Sequence, residues 1–243
     1  MTEAPKSVLV TGASRGLGLA ICRRLVAEGY HVTGVSRSHS DAFKEVAEKA
    51  DGRLDFIPFD VAELDGIPEL VNGVVKKHGG LWGMVNNAGI GSDGVLATQH
   101  KTDIEKVIQV NLTASIIFAK YACRPMLAAR AGRIINISSI IATTGFHGLA
   151  AYAASKAGLE GFTRSLSREL GKRSVTVNCV APGYMETEMT GGLDDHKMAS
   201  IRRRAPLGLP EVDDVAGAVS YLIGPDGVRV TGSIVTVDGG STA

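Results

Sequence analysis

The sequence predicts an α/β fold, a single doubly wound parallel sheet of about seven strands with helices on both faces, and three observations point to it. Short apolar runs alternate with longer amphipathic ones along the whole chain, the pattern of parallel strands joined by right-handed helical crossovers. A glycine-rich turn sits between the first strand-like run and the first helical one. No linker, repeat or low-complexity tract divides the 243 residues, so residues 1–243 are expected to form one domain.

Residues 7–10 are β-branched and apolar and read as the first strand. Residues 11–18 form the glycine-rich turn, and 19–28 carry helical spacing. Residues 31–36 read as the second strand, followed by a polar helix near 41–50 and a third strand at 54–59. Across 63–78, Leu64, Ile67, Val71, Val74 and Val75 fall on one helical face. A fourth strand is expected at 81–86, then helices over roughly 102–110 and 112–129. The fifth strand is expected at 133–138, a long helix at 150–170 and the sixth strand at 174–181. The polar, glycine- and methionine-containing stretch at 182–210 reads as a mobile excursion. A helix at 212–222 and a last strand at 233–237 complete the alternation.

The net charge of +1 excludes a global attraction to nucleic acid or to an anionic membrane surface. No apolar stretch reaches the length of a membrane span, and no charged-then-apolar leader precedes residue 7, so a cytoplasmic protein is expected. Cys22, Cys123 and Cys179 are widely spaced in apolar contexts and form no CxxC pair; they read as buried free thiols. The histidines show no HExxH or HxH pattern, so no metal site is expected.

The glycine-rich turn reads Thr11-Gly12-Ala13-Ser14-Arg15-Gly16-Leu17-Gly18. Its glycines allow a tight turn and close backbone approach to a pyrophosphate. A helix starting near Arg15 aims its free N–H groups and positive dipole end at that anion. Gly12, Ser14, Arg15, Gly16, Leu17 and Gly18 are therefore candidate cofactor contacts on a Rossmann-type domain. A site for NAD of this kind places an acid at the end of the second strand. Here that strand ends Val35-Ser36-Arg37-Ser38, with Asp41 beyond it. Arg37 suits a 2′-phosphate as a charge-assisted partner, with Arg15 approaching from the turn; two solvated arginines are the plainer alternative. The expected cofactor is NADP(H).

Three further segments carry chemistry. The fourth strand ends Asn86-Asn87-Ala88-Gly89, the fifth ends Ile137-Ser138-Ser139, and the long helix opens Tyr152-Ala153-Ala154-Ser155-Lys156. Tyr152 and Lys156 are one helical turn apart and share a face. With the glycine turn, Asp60-Val61, Asn111 and the run from Pro182-Gly183 to Thr187, these segments resemble the short-chain dehydrogenase/reductase family in order and spacing over essentially the whole chain. The resemblance implies a catalytic set of Asn111, Ser139, Tyr152 and Lys156. The family register selects Ser139 over Ser138. It also implies adenine contacts at Asp60 and Val61, cofactor-lining positions at Asn87, Ala88 and Gly89, and a nicotinamide cover at Pro182, Gly183, Met185 and Thr187. On position alone, Asp60 reads equally well as a helix N-cap.

The implied chemistry is reduction of a ketone, with hydride from the cofactor and a proton from Tyr152. Ser139 would hydrogen-bond the carbonyl oxygen. Lys156 would hold the nicotinamide ribose, and its ammonium together with the positive charge of the oxidised nicotinamide would favour phenolate. A depression of the phenol by about three units corresponds to roughly 4 kcal/mol. Asn111 would position a water that links Lys156 to solvent.

Within the family the chain is most similar to 3-oxoacyl-acyl-carrier-protein reductases, on its length and on the runs Asn86-Asn87-Ala88-Gly89-Ile90 and Val177-Asn178-Cys179-Val180-Ala181-Pro182-Gly183-Tyr184. That similarity implies a 3-oxoacyl thioester on acyl carrier protein as substrate, in fatty acid or polyketide biosynthesis, and a homotetramer. Arg130 and Arg173 match arginines that dock the acidic carrier, although the helix dipole alone favours arginine at a helix C-terminus. The run Pro206-Leu207-Gly208-Leu209-Pro210-Glu211 is compressed relative to that group, which bears on acyl-chain preference. The rival readings are a carbonyl reductase or secondary-alcohol dehydrogenase for a free small molecule, and an NADP-binding redox-sensing regulator. A regulator has no need of the four catalytic residues.

Overall fold

The computed structural model describes residues 6–186 and 195–243. Strands β1 (Ser7–Thr11), β2 (His31–Ser36), β3 (Leu54–Pro58), β4 (Gly83–Asn86), β5 (Gly132–Ile137), β6 (Val175–Pro182) and β7 (Ile234–Val237) form one sheet. Every pairing is parallel, in the order β3-β2-β1-β4-β5-β6-β7. The sheet lies between two helical layers, as expected. Successive side chains of β1 enter opposite layers, as a period of two demands. Val8 and Val10 pack with α1 (Gly16–Ala27) and α9 (Val212–Ile223), joined by Phe43 of α2 (Asp41–Lys49). Leu9 packs with α3 (Ile67–His78) and α5 (Ala114–Ala129), and with the lower half of α7 (Ala150–Leu170) through Leu166 and Leu170. Phe118 of α5 is fully buried there. Its removal from water contributes about 2–3 kcal/mol.

The chain builds outward from β1 to β3 and then crosses back to β4 on the other side of β1. This reversal leaves a crevice beyond the carboxyl ends of β1 and β4, where α/β sheets of this type take ligands.

The structure departs from the sequence expectations at several boundaries. The helix expected from residue 63 starts only at Ile67, after a 3-10 turn over Leu64–Gly66, because Pro68 fits the first turn of a helix but not its interior. The two helices expected at 102–110 and 112–129 are one continuous run: α4 (Lys101–Ile108), a π-helical turn over Gln109–Thr113, then α5. A π turn inserts one residue without interrupting the apolar face, so periodicity reads it as a gap. The stretch expected as an excursion contains α8 (Asp195–Arg204) in its described part. Its Arg202, Arg203 and Arg204 are exposed, and Arg202 pairs with Glu186. A short α6 (Ile141–Thr144) was not anticipated; Thr143 and Thr144 both donate their hydroxyls to the Ile140 carbonyl. The C-terminal segment is a sheet strand, with Val180 opposite Val235.

All three cysteines are free and buried, and burial pushes the Cys123 thiol up to about 11 and Cys179 up to about 12. Among the described residues there is no cluster suited to a metal ion and no helix long and apolar enough to cross a membrane.

Candidate active site

Two glycines shape the crevice floor. Gly12 has φ +68°, a left-handed conformation, and a Cβ there would lie 2.9 Å from the Ala88 Cα. A Cβ on Gly18 would lie 2.0 Å from the Gly12 carbonyl oxygen. Only residues without a side chain let the turn fold this tightly against α1 and the end of β4. Arg15 occupies the N-cap of α1 without a side-chain cap, and the first turn carries no acid. The leading N–H groups and positive dipole end of α1 thus face the crevice uncapped by side chains, a site that fits a diphosphate.

Thr11, which motif reading passed over as a site residue, fixes this turn to β4. Its hydroxyl oxygen accepts from the backbone N–H groups of Asn87 and Ala88, both at 3.1 Å. Asn87 returns its side-chain amide to the carbonyls of Thr11 at 2.9 Å and Gly12 at 3.2 Å. On the other side, Ser14 N–H donates to Ser36 Oγ at 3.2 Å, and Ser40 Oγ donates to the Ser14 carbonyl. Ser40 also caps α2 through Phe43 N–H. The turn is therefore held from both neighbouring strand ends. Arg15 and Arg37 are exposed beside it, and Arg37 directly follows the last residue of β2. Asp60 is not a helix N-cap; its Oδ1 accepts from Ala62 N–H at 3.0 Å, an Asx turn beyond β3. Val61 is buried under it.

The second group of residues meets at the carboxyl ends of β4, β5 and β6. Ser139 follows β5, its hydroxyl oxygen accepts from Ile141 N–H at 3.2 Å, and it stands near enough to the Tyr152 phenol to favour the ionised form. Tyr152 is half-buried in the first turn of α7. Lys156, one turn on, is fully enclosed; its Nζ donates to the Ile137 carbonyl at 2.8 Å and stands 5.7 Å from the Tyr152 ring centre. Gly89 lies against them: a Cβ there would meet Asn111 Oδ1 and Lys156 Nζ, both at 3.4 Å.

Asn111 sits in the π turn with no exposed surface. Its Oδ1 accepts from Ile90 N–H at 2.8 Å, and its Nδ2 donates to the Ile90 carbonyl at 2.9 Å and to Ser155 Oγ at 3.1 Å. The π turn aims this amide at the β4 loop, a common use of such turns at functional sites. Pro182 accepts from Ile140 N–H at 3.0 Å, and Gly183 N–H donates to the Val237 carbonyl at 2.8 Å, so this stretch extends the pairing of β5, β6 and β7. Met185 packs on the α1–α9 side of the core. Thr187 lies outside the described residues.

The expected depression of the phenol includes the charge of an oxidised nicotinamide; the protein's own groups act in the other direction. In the protein alone, burial raises Tyr152, and the nearby Ser139 hydroxyl only partly opposes this. Burial likewise lowers Lys156 to about 8. Desolvation disfavours both charged forms, and the ammonium is turned to a backbone carbonyl. Tyr152 is thus held as a neutral phenol with a proton to give.

Arg130 and Arg173 stand apart from this pocket. Arg130 closes α5 in a left-handed conformation, φ 54°, and Arg173 ends the 3-10 turn that follows α7; both are exposed. Positions missed by the sequence reading form a buried polar chain behind the site. Asn86 Nδ2 donates to Asn136 Oδ1 at 2.8 Å, and Asn136 Nδ2 donates to Thr163 Oγ1 at 2.8 Å, tying β4 to β5 and α7.

The family model for short chain dehydrogenase matches residues 6–198. The chain is 38% identical to a 3-oxoacyl-[acyl-carrier-protein] reductase of Vibrio cholerae over 236 residues, covering 97% of this chain and 96% of that protein. It is 37% identical to nodulation protein G of a Rhizobium species, at the same coverage of both. Among solved structures, it superposes on a dehydrogenase/reductase from Sinorhizobium meliloti with a TM-score of 0.90 and 36% identity, covering 99% of this chain and 96% of the other.

Proposed function

We propose that this chain, which belongs to the short chain dehydrogenase family and is an oxidoreductase acting on CH–OH and C=O groups, reduces a 3-oxoacyl thioester carried on acyl carrier protein, using NADPH. The observation that carries this reading is the convergence of Ser139, Tyr152 and Lys156 beside the glycine turn, at the switch point of the sheet. Residues 1–243 act as one catalytic domain, and the family resemblance implies a homotetramer.

When bound, the cofactor would supply the hydride that reduces the carbonyl carbon. Gly12, Ser14, Arg15, Gly16, Leu17 and Gly18 hold its diphosphate on backbone and dipole, with Arg15 and Arg37 on the 2′-phosphate. Asp60 and Val61 edge the adenine. Asn87, Ala88 and Gly89 line the dinucleotide, and Pro182, Gly183, Met185 and Thr187 cover the nicotinamide end. Lys156 holds the ribose hydroxyls. Ser139 donates a hydrogen bond to the carbonyl oxygen and steadies the growing negative charge. Tyr152 gives its proton to that oxygen, so ketone, hydride and proton yield the secondary alcohol. Asn111 keeps a second lone pair on Oδ1 beside Lys156 for the water that resupplies the proton. Arg130 and Arg173 present positive charge to the acidic carrier.

The test is NADPH oxidation by purified protein with 3-oxoacyl thioesters of graded length, free and on carrier protein, beside simple ketones. Turnover highest on the carrier-bound substrates is expected. Efficient turnover of small ketones with none on the carrier substrate assigns a free-ketone reductase instead. NADPH binding with no reduction across the panel assigns a redox sensor.

A further inference from the structure

Tyr152 and Lys156 head a longer ladder on α7: Glu160 and Arg164 follow at the same four-residue spacing, on the same face. Glu160 is two turns from Tyr152, about 12 Å along the axis, too far to touch reacting atoms. Yet it is 4% exposed, the most enclosed carboxylate among the described residues. Burying a carboxylate costs several kcal/mol unless its partners are good. Glu160 has two. Arg164 reaches Oε2 at 3.3 Å, but its side chain is 57% exposed, so this pair is long and solvent-screened. The other partner is the buried Ser138 hydroxyl, 3.1 Å from Oε1. A leucine would fill this site at lower cost to folding, so the acid serves something an apolar residue cannot.

Ser138 directly precedes Ser139. Its hydroxyl has one hydrogen and two acceptors, Glu160 Oε1 and the Lys156 carbonyl at 3.2 Å. An ionised carboxylate takes that hydrogen, because a charge-assisted bond is roughly twice as strong as a neutral one. The backbone on either side is already held by β6, through Ser138 N–H to Val180 and Ile140 N–H to Pro182. The remaining freedom of the Ser138–Ser139 peptide is therefore governed by where the Ser138 side chain is anchored. We propose that Glu160 is a positioning residue: its buried carboxylate anchors the Ser138 hydroxyl and thereby sets the Ser139 hydroxyl against the Tyr152 phenol.

This inference rests on the assignment of Ser139 and Tyr152 as the reacting pair. The test is steady-state kinetics, NADPH binding and thermal unfolding of Glu160→Leu, Glu160→Gln, Ser138→Ala and the pair Ser138→Ala/Glu160→Leu. Tyr152→Phe and Ser139→Ala serve as controls. Glu160→Leu is expected to fold with a Tm at or above that of the parent. Its kcat should fall about tenfold while the Kd for NADPH stays within about twofold. Glu160→Gln keeps an acceptor for Ser138 but not the charge, so its kcat should fall between that of the parent and that of Glu160→Leu. Ser138→Ala should lose the same factor as Glu160→Leu, and the double variant no more than either. A folded Glu160→Leu with parental kcat, or a Gln variant as impaired as the Leu variant, overturns the proposal. Should Glu160→Leu fail to fold, parental kcat in Ser138→Ala overturns it equally. If Tyr152→Phe and Ser139→Ala both stay active, the reacting pair itself is wrong; if they are dead and Glu160→Leu is not, only the positioning role falls.

Discussion

The two halves of the sheet make their contributions by opposite means. The β3-β2-β1 half builds a ligand cradle by leaving side chains out: Gly12 and Gly18 let backbone approach backbone, and the end of α1 is uncapped by side chains. The β4-β5-β6-β7 half works by burying polar side chains: Asn111, Lys156, Asn136, Ser138 and Glu160 are all nearly or wholly enclosed. A cradle of backbone binds whatever presents a diphosphate. A set of enclosed side chains can aim single protons, because each is fixed by partners that water cannot replace. Binding and chemistry should therefore fail separately in this molecule.

The largest expected separation is in Tyr152→Phe. Removing the phenol hydroxyl should cost kcat about a hundred- to ten-thousandfold, the usual range for a general acid. The Kd for NADPH, read by fluorescence titration, should hardly move. Gly18→Ala inverts the pattern: its Cβ would meet the Gly12 carbonyl, and overpacking of this kind costs about 1–3 kcal/mol. Its NADPH affinity should drop ten- to about a hundredfold, with a Tm lower by several degrees in a melting curve.

Arg37→Asp sharpens the cradle further. Losing one charge-assisted phosphate contact, worth about 1.5–3 kcal/mol, should lower the NADPH-to-NADH ratio of kcat/KM about ten- to a hundredfold. The smallest effect is on pH. Burial lowers Lys156 to about 8 in the free protein, so its ammonium is half-populated near that value, nearly complete well below it and lost well above it. The kcat/KM for NADPH should therefore be flat at neutral pH and fall about tenfold per unit well above pH 8. A profile flat to pH 10 would separate Lys156 from cofactor capture.

The difference between the halves also explains what the sequence disclosed. Glycines at 12, 16 and 18 are legible because a tight turn has few substitutes, and Tyr152 and Lys156 because one helix turn sets their spacing. The π turn around Asn111 was hidden, since it preserves the apolar face on both sides. The chain from Asn86 through Asn136 to Thr163 was hidden for another reason: its partners stand 50 and 27 residues apart, and only strand pairing brings them together. Thr11 and Glu160 were passed over because each looks ordinary in its element, a strand-end threonine and a helical glutamate. The raised phenol of the protein alone was not legible either, because spacing reports neighbours and not burial.

On the proposed function, hydride and proton meet at one carbonyl between the cradle and the Tyr152–Ser139 pair. This is tested most directly with NADPH carrying deuterium at the transferable position, a 3-oxoacyl thioester, and mass analysis of the product. One deuterium on the carbinol carbon is predicted from the parent protein, with product from Tyr152→Phe falling away in the same interval. NADPH consumed without label in the product, or equal labelled product from Tyr152→Phe, would contradict the account.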